Sequence, residues 1–377
     1  MTHTHTHTPQ EPYLNQKKIE ELESIRGIAA FLIVIFHIPL WNFVNNFSLI
    51  RNGYLMVQLF FVLSGFVIYK AYSNKLKNKK DVLRFQFLRL GRLYPVHIVF
   101  LVIYIFIELA KYYAQHKLGI TIPNSQPFRE NNITALFQNI FLLQAIGPTH
   151  NATTFNGPAW SISVEFYTYF LFALTILYLE KYKFFVFLGL CIGSLLLLVT
   201  NNDYGFGDLL SCYSGFFLGC IVAYLEEKVK ITLPQYSSLI AFIAIILFLI
   251  FKSNQAYDPI IYFLTAILIL TITVSKNGYL NKILKLKLFT WLGAISFSIY
   301  MSHFCIMWIF NQFIRVVLKK TEIRIYGIST PQLTNFETFI AITLIIATVL
   351  IVSTLVNKLI ENPFRIKSRR YAFNKIK

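Results

Sequence analysis

The chain has 377 residues, of which 56% are hydrophobic, 17% aromatic and only 14% charged, with 37 phenylalanines and a formal net charge of +18. Soluble domains carry roughly 25% charged residues, so this composition excludes a soluble domain with one anchor and indicates an integral membrane protein throughout. The surplus of Lys and Arg lies in short loops between apolar runs, which points to anionic membrane lipids and not to nucleic acid.

The first 21 residues read as a disordered tail. Its Thr-His alternation at His3, His5 and His7 is low-complexity sequence and is set aside. Apolar runs of spanning length follow at 25–44, 54–73, 94–114, 159–179, 184–200, 207–225, 236–252, 258–275, 288–314 and 335–358. The first begins only after Glu20, Glu21 and Glu23 and has no small-residue cleavage site, so it is expected as a retained helix. The fold class is therefore all-α: a polytopic transmembrane bundle of about ten spans occupying 22–365, with a basic tail at 366–377. Cys191, Cys212, Cys220 and Cys305 fall inside the apolar runs and read as reduced packing residues. No metal site is expected, because no ligand spacing involves them.

Loop charges orient this bundle. With both termini in the cytoplasm, 23 Lys and Arg lie inside and eight outside. An eleventh candidate, 133–146, is short and contains Asn139 and Gln144. Counting it as a span would put the basic tail outside, so it is read as a re-entrant or interfacial element of an external loop. Four basic residues in 315–334 sit on the wrong side of this scheme.

Arg26 and His37 are eleven residues apart in the first run, on one helical face and about 16 Å apart along the axis. Intramembrane ionisable groups are costly and point to function, although a histidine merely satisfied inside a bundle is the alternative reading. Arg84, Arg89 and Arg92 lie just before or at the start of the third run. Arg89 and Arg92 are i, i+3 neighbours able to present two guanidinium forks to one anion, where a lipid-facing basic patch is the alternative.

Deeper groups come from Trp160-Ser161-Ile162-Ser163-Val164-Glu165 and from Ser296-Phe297-Ser298-Ile299-Tyr300-Met301-Ser302-His303. A carboxylate and two imidazoles near one depth suit proton management; singly, Trp160 is an interfacial aromatic and the serines cap a helix start. Ser64-Gly65 in a bulky helix suits close helix packing first, or a slender ligand. Pro363 is expected to stop the last helix, with Glu361 pairing with the arginines. Phosphate-binding arginines about half a bilayer from a titratable group fit acyl-coenzyme A, its thioester reaching His37 while a hydroxyl acceptor approaches past Trp160.

The runs Leu22 to His37, Phe60-Phe61-Val62-Leu63-Ser64-Gly65-Phe66, Arg89-Leu90-Gly91-Arg92, Trp160 to Glu165, and Ser296 to Tyr300 with His303 resemble the membrane acyltransferase-3 family. The resemblance extends from Leu22 to Glu361-Asn362-Pro363. It implies ten core helices in the cell (inner) membrane and transfer of an acyl group, acetyl foremost, from cytoplasmic acyl-coenzyme A to a glycan or lipid-linked sugar outside. Arg26 with His37 matches the family's Arg-x10-His motif, and Arg89 with Arg92 its Arg-x-x-Arg motif.

On this reading His37 and Glu165 are catalytic, and Arg26, Arg89 and Arg92 bind the donor. Ser64, Trp160, Ser161, Tyr300 and His303 hold the acceptor or support the site. Acyl-coenzyme A is a co-substrate, with no cofactor besides. Some members carry an extra hydrolase-like domain, which makes a separate extracytoplasmic partner protein an expectation here. A flippase or transporter of a lipid-linked sugar, with the same histidines and glutamate as proton relay, is the competing class. It would be expected to show interrupted helices at matching positions of two halves, and the sequence has none.

Overall fold

The computed structural model describes residues 19–42, 46–120, 123–228, 232–275 and 277–376. Each of the ten apolar runs holds a helix, the first stopping at His37 with Ile38 extended: α1 (Glu20–His37), α2 (Met56–Tyr72), α3 (Lys79–Lys117), α5 (Trp160–Tyr178), α6 (Lys183–Val199), α7 (Gly207–Lys228), α8 (Ser237–Phe251), α9 (Ile260–Val274), the pair α11 (Lys287–Ala294) and α12 (Ser296–Gln312), and α13 (Asn335–Val356). Between them lie the short α4 (Ile133–Ile140) and α10 (Tyr279–Leu284), and α14 (Asn362–Lys375) follows. Among the described residues seven helices are long and apolar enough to cross a bilayer, or eight if α11 and α12, bent by 67°, count as one span. The others fall short for visible reasons: α1 carries Glu20, Glu21, Glu23 and Arg26 in its first turns, and α8 has only 15 residues.

Outward-facing Phe106, Phe185, Leu247, Phe263, Phe339 and Ile351 are exposed along the bundle, while Phe61, Phe66, Phe172, Phe216 and Phe217 fill the interior. Apolar side chains on both sides are what a hydrocarbon surround requires. Backbones approach most closely at glycines. A Cβ on Gly65 would run into the Phe216 carbonyl, and one on Gly219 into the Val62 carbonyl, so α2 and α7 pack almost backbone to backbone. Gly27 and Gly293 do the same for α1 and α11.

The 133–146 element is too short to cross a bilayer as a helix. Its helix is eight residues long, about 12 Å. Asn139 and Gln144 are buried, binding Thr154 (3.0 Å) and the Ala159 carbonyl (3.2 Å). Ser163 is not a cap: it donates to the Leu142 carbonyl at 2.6 Å and so pins this element to α5. Glu108 organises the same loop, accepting from Lys111 at 2.5 Å, from the Phe128 amide at 2.9 Å and from Asn131 at 2.7 Å.

Four expectations need correction. Helix α3 begins at Lys79, capped by the Asn78 side chain, so Arg84, Arg89 and Arg92 lie on the helix and not before it. Pro363 does not stop the last helix: α13 passes through a π-turn at Asn357–Glu361 into α14, where proline occupies the first turn and its missing N–H is harmless. The basic stretch 366–377 is therefore largely helical and packed. At the other end α1 starts at Glu20, inside the stretch read as tail; residues 1–18 of that tail lie outside the described residues. The fourth correction is a hairpin, β1 (Glu322–Ile325) and β2 (Ile328–Pro331), in a chain otherwise helical.

Candidate active site

Five helices converge on a central cavity of about 90 Å³. From α1 comes Arg26, from α2 Ser64, from α3 Arg89 and Arg92, from α5 Ser161, Glu165 and Tyr169, and from α12 Tyr300. The α5 residues recur every four positions, so they stand on one stripe and space the cavity along its length. At one end Ser161 Oγ and Tyr300 Oη are bonded at 2.9 Å. In the middle Glu165 accepts from both Ser64 Oγ and Tyr169 Oη through one carboxylate oxygen, with the two hydroxyls 2.9 Å apart. At the other end Arg89 lies 6.0 Å from the Tyr169 ring and donates to Tyr72 Oη at 3.1 Å.

That end opens into a wider vestibule of about 270 Å³ shared by Arg89 and Arg92 and bounded by Glu23, Lys75, Arg365 and Arg369. Arg26 is held by Glu23 at 3.2 Å. Arg92 has no hydrogen bond or ion pair among the described residues. Among the described residues Glu361 forms no ion pair within 4 Å: it accepts from Ser298 and Asn357, both at 2.8 Å.

His37 ends α1. Its Nδ1 lies 2.9 Å from the Ile33 carbonyl and 3.3 Å from His303 Nε2, while His303 Nδ1 lies 3.2 Å from the Ile299 carbonyl. A carbonyl oxygen only accepts, so each Nδ1 carries the ring proton. That leaves Nε2 of His37 as the unprotonated nitrogen, on a side chain that is only partly buried. Tyr300 stands one turn from His303, ring centroids 6.0 Å apart, and links the histidine pair to the cavity wall.

The sequence-expected residues thus fall into two groups. Arg26, Arg89, Arg92, Ser64, Ser161, Glu165 and Tyr300 share the central cavity; His37 and His303 form a contact pair behind Tyr300. Trp160 belongs to neither. It packs edge-on against Phe61, 5.9 Å between centroids, and faces a separate cavity of about 560 Å³ at the opposite end of the bundle from the vestibule. That cavity is bounded by Asn201, Asp208, Gln255, Asp258 and Tyr262 and has no Lys or Arg in its wall.

Tyr169, Tyr72, Arg365 and Arg369 were missed from sequence. Tyr169 follows Glu165 by four residues and was findable by helical spacing; Arg365 and Arg369 lie at and beyond the expected end of the bundle, where no helix was expected to carry them back to the site.

The acyltransferase-domain family Acyl_transf_3 matches residues 19–358. The chain is 25% identical over 334 residues to the peptidoglycan O-acetyltransferase OatA of Listeria monocytogenes, covering 78% of this chain and 50% of that protein. It is 26% identical over 341 residues to a putative O-acetyltransferase of Staphylococcus aureus strain COL (78% and 52%), and 24% identical over 338 residues to the O-acetyltransferase OatA of S. aureus strain NCTC 8325 (80% and 53%). The chain spans about half the length of these curated relatives. No solved structure matches it. With the family match covering most of its length and the arginine, glutamate and tyrosine motifs meeting in one cavity, the chain belongs to the membrane acyltransferase-3 family.

Proposed function

We propose that this protein is a multi-pass membrane O-acyltransferase that moves an acyl group, acetyl foremost, from acyl-coenzyme A to a hydroxyl of a glycan or lipid-linked sugar. The observation that carries the reading is the continuity of the basic vestibule with the cavity holding Ser64, Glu165 and Tyr169. Nucleotide phosphates suit the arginine end, and the narrow inner cavity suits a slender pantetheine arm. The relatives named as O-acetyltransferases support acetyl as the group and oxygen as the acceptor atom. Nothing in the family match favours a transporter.

In this scheme both termini and the vestibule face the cytoplasm and ten helices cross, on the strength of the positive-inside charge count. The sugar enters from the opposite end, where the cavity beside Trp160 offers flat rings, amides and the carboxylates of Asp208 and Asp258, the latter paired with Lys252 at 2.7 Å. The acceptor hydroxyl gives its proton to Nε2 of His37 while its oxygen bonds the thioester carbonyl carbon. The C–S bond then breaks, and the imidazolium returns the proton to the departing thiolate. His303 positions His37 through the Nδ1 contact. Glu165, held by Ser64 and Tyr169, carries negative charge beside the arginines and orients the donor.

The test is mass spectrometry of surface glycans from cells with and without the chain. A shift of one acyl group per modified sugar that depends on the chain supports the proposal; identical glycans contradict it.

A further inference from the structure

Helix α14 had no functional role in the sequence reading, yet it is seated with care. It runs antiparallel to the first half of α3. Gly91 faces Ser368, where a Cβ on the glycine would collide with the serine side chain. One turn further, Phe87 meets Tyr371 with centroids 5.3 Å apart. Beyond that, Arg84 lies 5.3 Å from the Phe373 ring and donates to the Ile376 carbonyl at 2.6 Å, closing the helix C-terminus. Three successive contacts fix both the position and the rotation of α14.

That rotation turns Arg365 and Arg369, an i, i+4 pair, into the vestibule opposite Arg89 and Arg92. Four guanidinium groups and Lys75 thus share one chamber with one acid in its wall, Glu23, which is engaged with Arg26; the charges of Glu165 and Glu361 also reach Arg92. Arg365 is steadied by Asn362 at 2.7 Å. Arg92 and Arg369 have no hydrogen bond or ion pair among the described residues, and the Nε of Arg89 is buried without an acceptor. Like charges held this close, with Arg369 open to solvent and the Arg89 Nε unfilled, suit a multiply charged anion. A lipid headgroup with one phosphate fills one or two forks; a nucleotide with several phosphates fills all four.

We propose that α14 is a wall of the donor site, and that Arg365 and Arg369 clamp the phosphates of the nucleotide end of acyl-coenzyme A against Arg89 and Arg92. This rests on the donor assignment made above.

The test is calorimetric titration of the full chain in nanodiscs with acetyl-coenzyme A and with adenosine 3′,5′-bisphosphate. The expected result is that Arg365→Gln with Arg369→Gln weakens both ligands about tenfold or more, as loss of charge-assisted bonds implies. Lys at both positions should recover only part of the affinity. Arg370→Gln, on the same helix but outside the vestibule, should bind like the parent. An unchanged thermal midpoint guards against misfolding, and the Lys variant keeps the test decisive if the Gln variant unfolds.

Equal binding by the double Gln variant, or an equal loss in Arg370→Gln, overturns the proposal while leaving the donor reading intact. So does a double variant that binds acetyl-coenzyme A normally and loses only its response to phosphatidylglycerol in the nanodisc. A parent protein that binds neither ligand removes the donor reading and this proposal together.

Discussion

At the residue scale the site is a chain of shared side chains. Glu165 links the Ser161–Tyr300 end of the cavity to its arginine end because one of its oxygens takes two hydroxyls, Ser64 and Tyr169, and Tyr169 in turn borders Arg89. Tyr169→Phe keeps the ring and removes one donor. A hydrogen bond to a charged group contributes roughly 1.5–3 kcal/mol, so acyl transfer should fall about tenfold or more at unchanged protein level. A variant with parental turnover would show that Glu165 needs no such anchoring. Arg89 is surrounded by the Tyr72, Phe85 and Tyr169 rings at 5.3, 5.7 and 6.0 Å, a setting for a planar guanidinium. Replacing Arg89 and Arg92 by Lys, at constant charge, should weaken acetyl-coenzyme A in the same titration by roughly tenfold. Normal donor binding by that variant would reassign the pair to lipid contact or topology.

At the element scale, long apolar runs were readable because in hydrocarbon a continuous apolar stretch must satisfy its own backbone as a helix. What escaped were features set by local chemistry at the ends. Lys, Arg, Leu and Gln are good helix formers, so the charged stretch before Pro95 joined α3 once Asn78 capped it. The motif residues Ser64 and Gly65 were legible but their division of labour was not: Gly65 packs, while its neighbour binds Glu165. The hairpin is written in the pair Tyr326-Gly327, both with positive φ (49° and 81°), between alternating isoleucines, a pattern too short to outweigh its charged surroundings. His37 and His303 were placed near one depth from sequence, but their direct contact was not legible, since 266 residues separate them. A direct consequence of the glycine packing is that Gly65→Leu should separate α2 from α7. Overpacking of this kind costs about 1–3 kcal/mol or more, which should appear as a lower thermal midpoint and reduced abundance. An unchanged midpoint would mean that the two helices give way easily.

At the scale of the whole molecule, local ion pairs account for part of the basic charge that sat on the wrong side of the charge count. Arg315 pairs with Glu322 at 2.8 Å and Lys320 with Glu337 at 2.5 Å, so two of the four charges there are internally matched. The orientation then predicts a labelling pattern. Native cysteines are all buried, which leaves a quiet background for an impermeant thiol reagent. A cysteine at Tyr326, 88% exposed at the hairpin tip, should react on intact cells. One at the exposed Lys367 on α14 should react only after the cells are opened. Ser368, buried against Gly91, is unsuitable for this purpose. The reverse pattern would turn the bundle over and place the arginine vestibule outside the cell.

The central claim is that a donor held at the basic end delivers its acyl group across the bundle through His37. Inverted membrane vesicles, supplied on their outer face with acetyl-coenzyme A labelled in the acetyl group, test it most directly. The chain should move label into extractable glycan or lipid-linked sugar, and His37→Ala at matched abundance should lower that rate by about 10²- to 10⁴-fold. Equal labelling by the two proteins, or labelling that needs donor only inside the vesicles, would contradict the account.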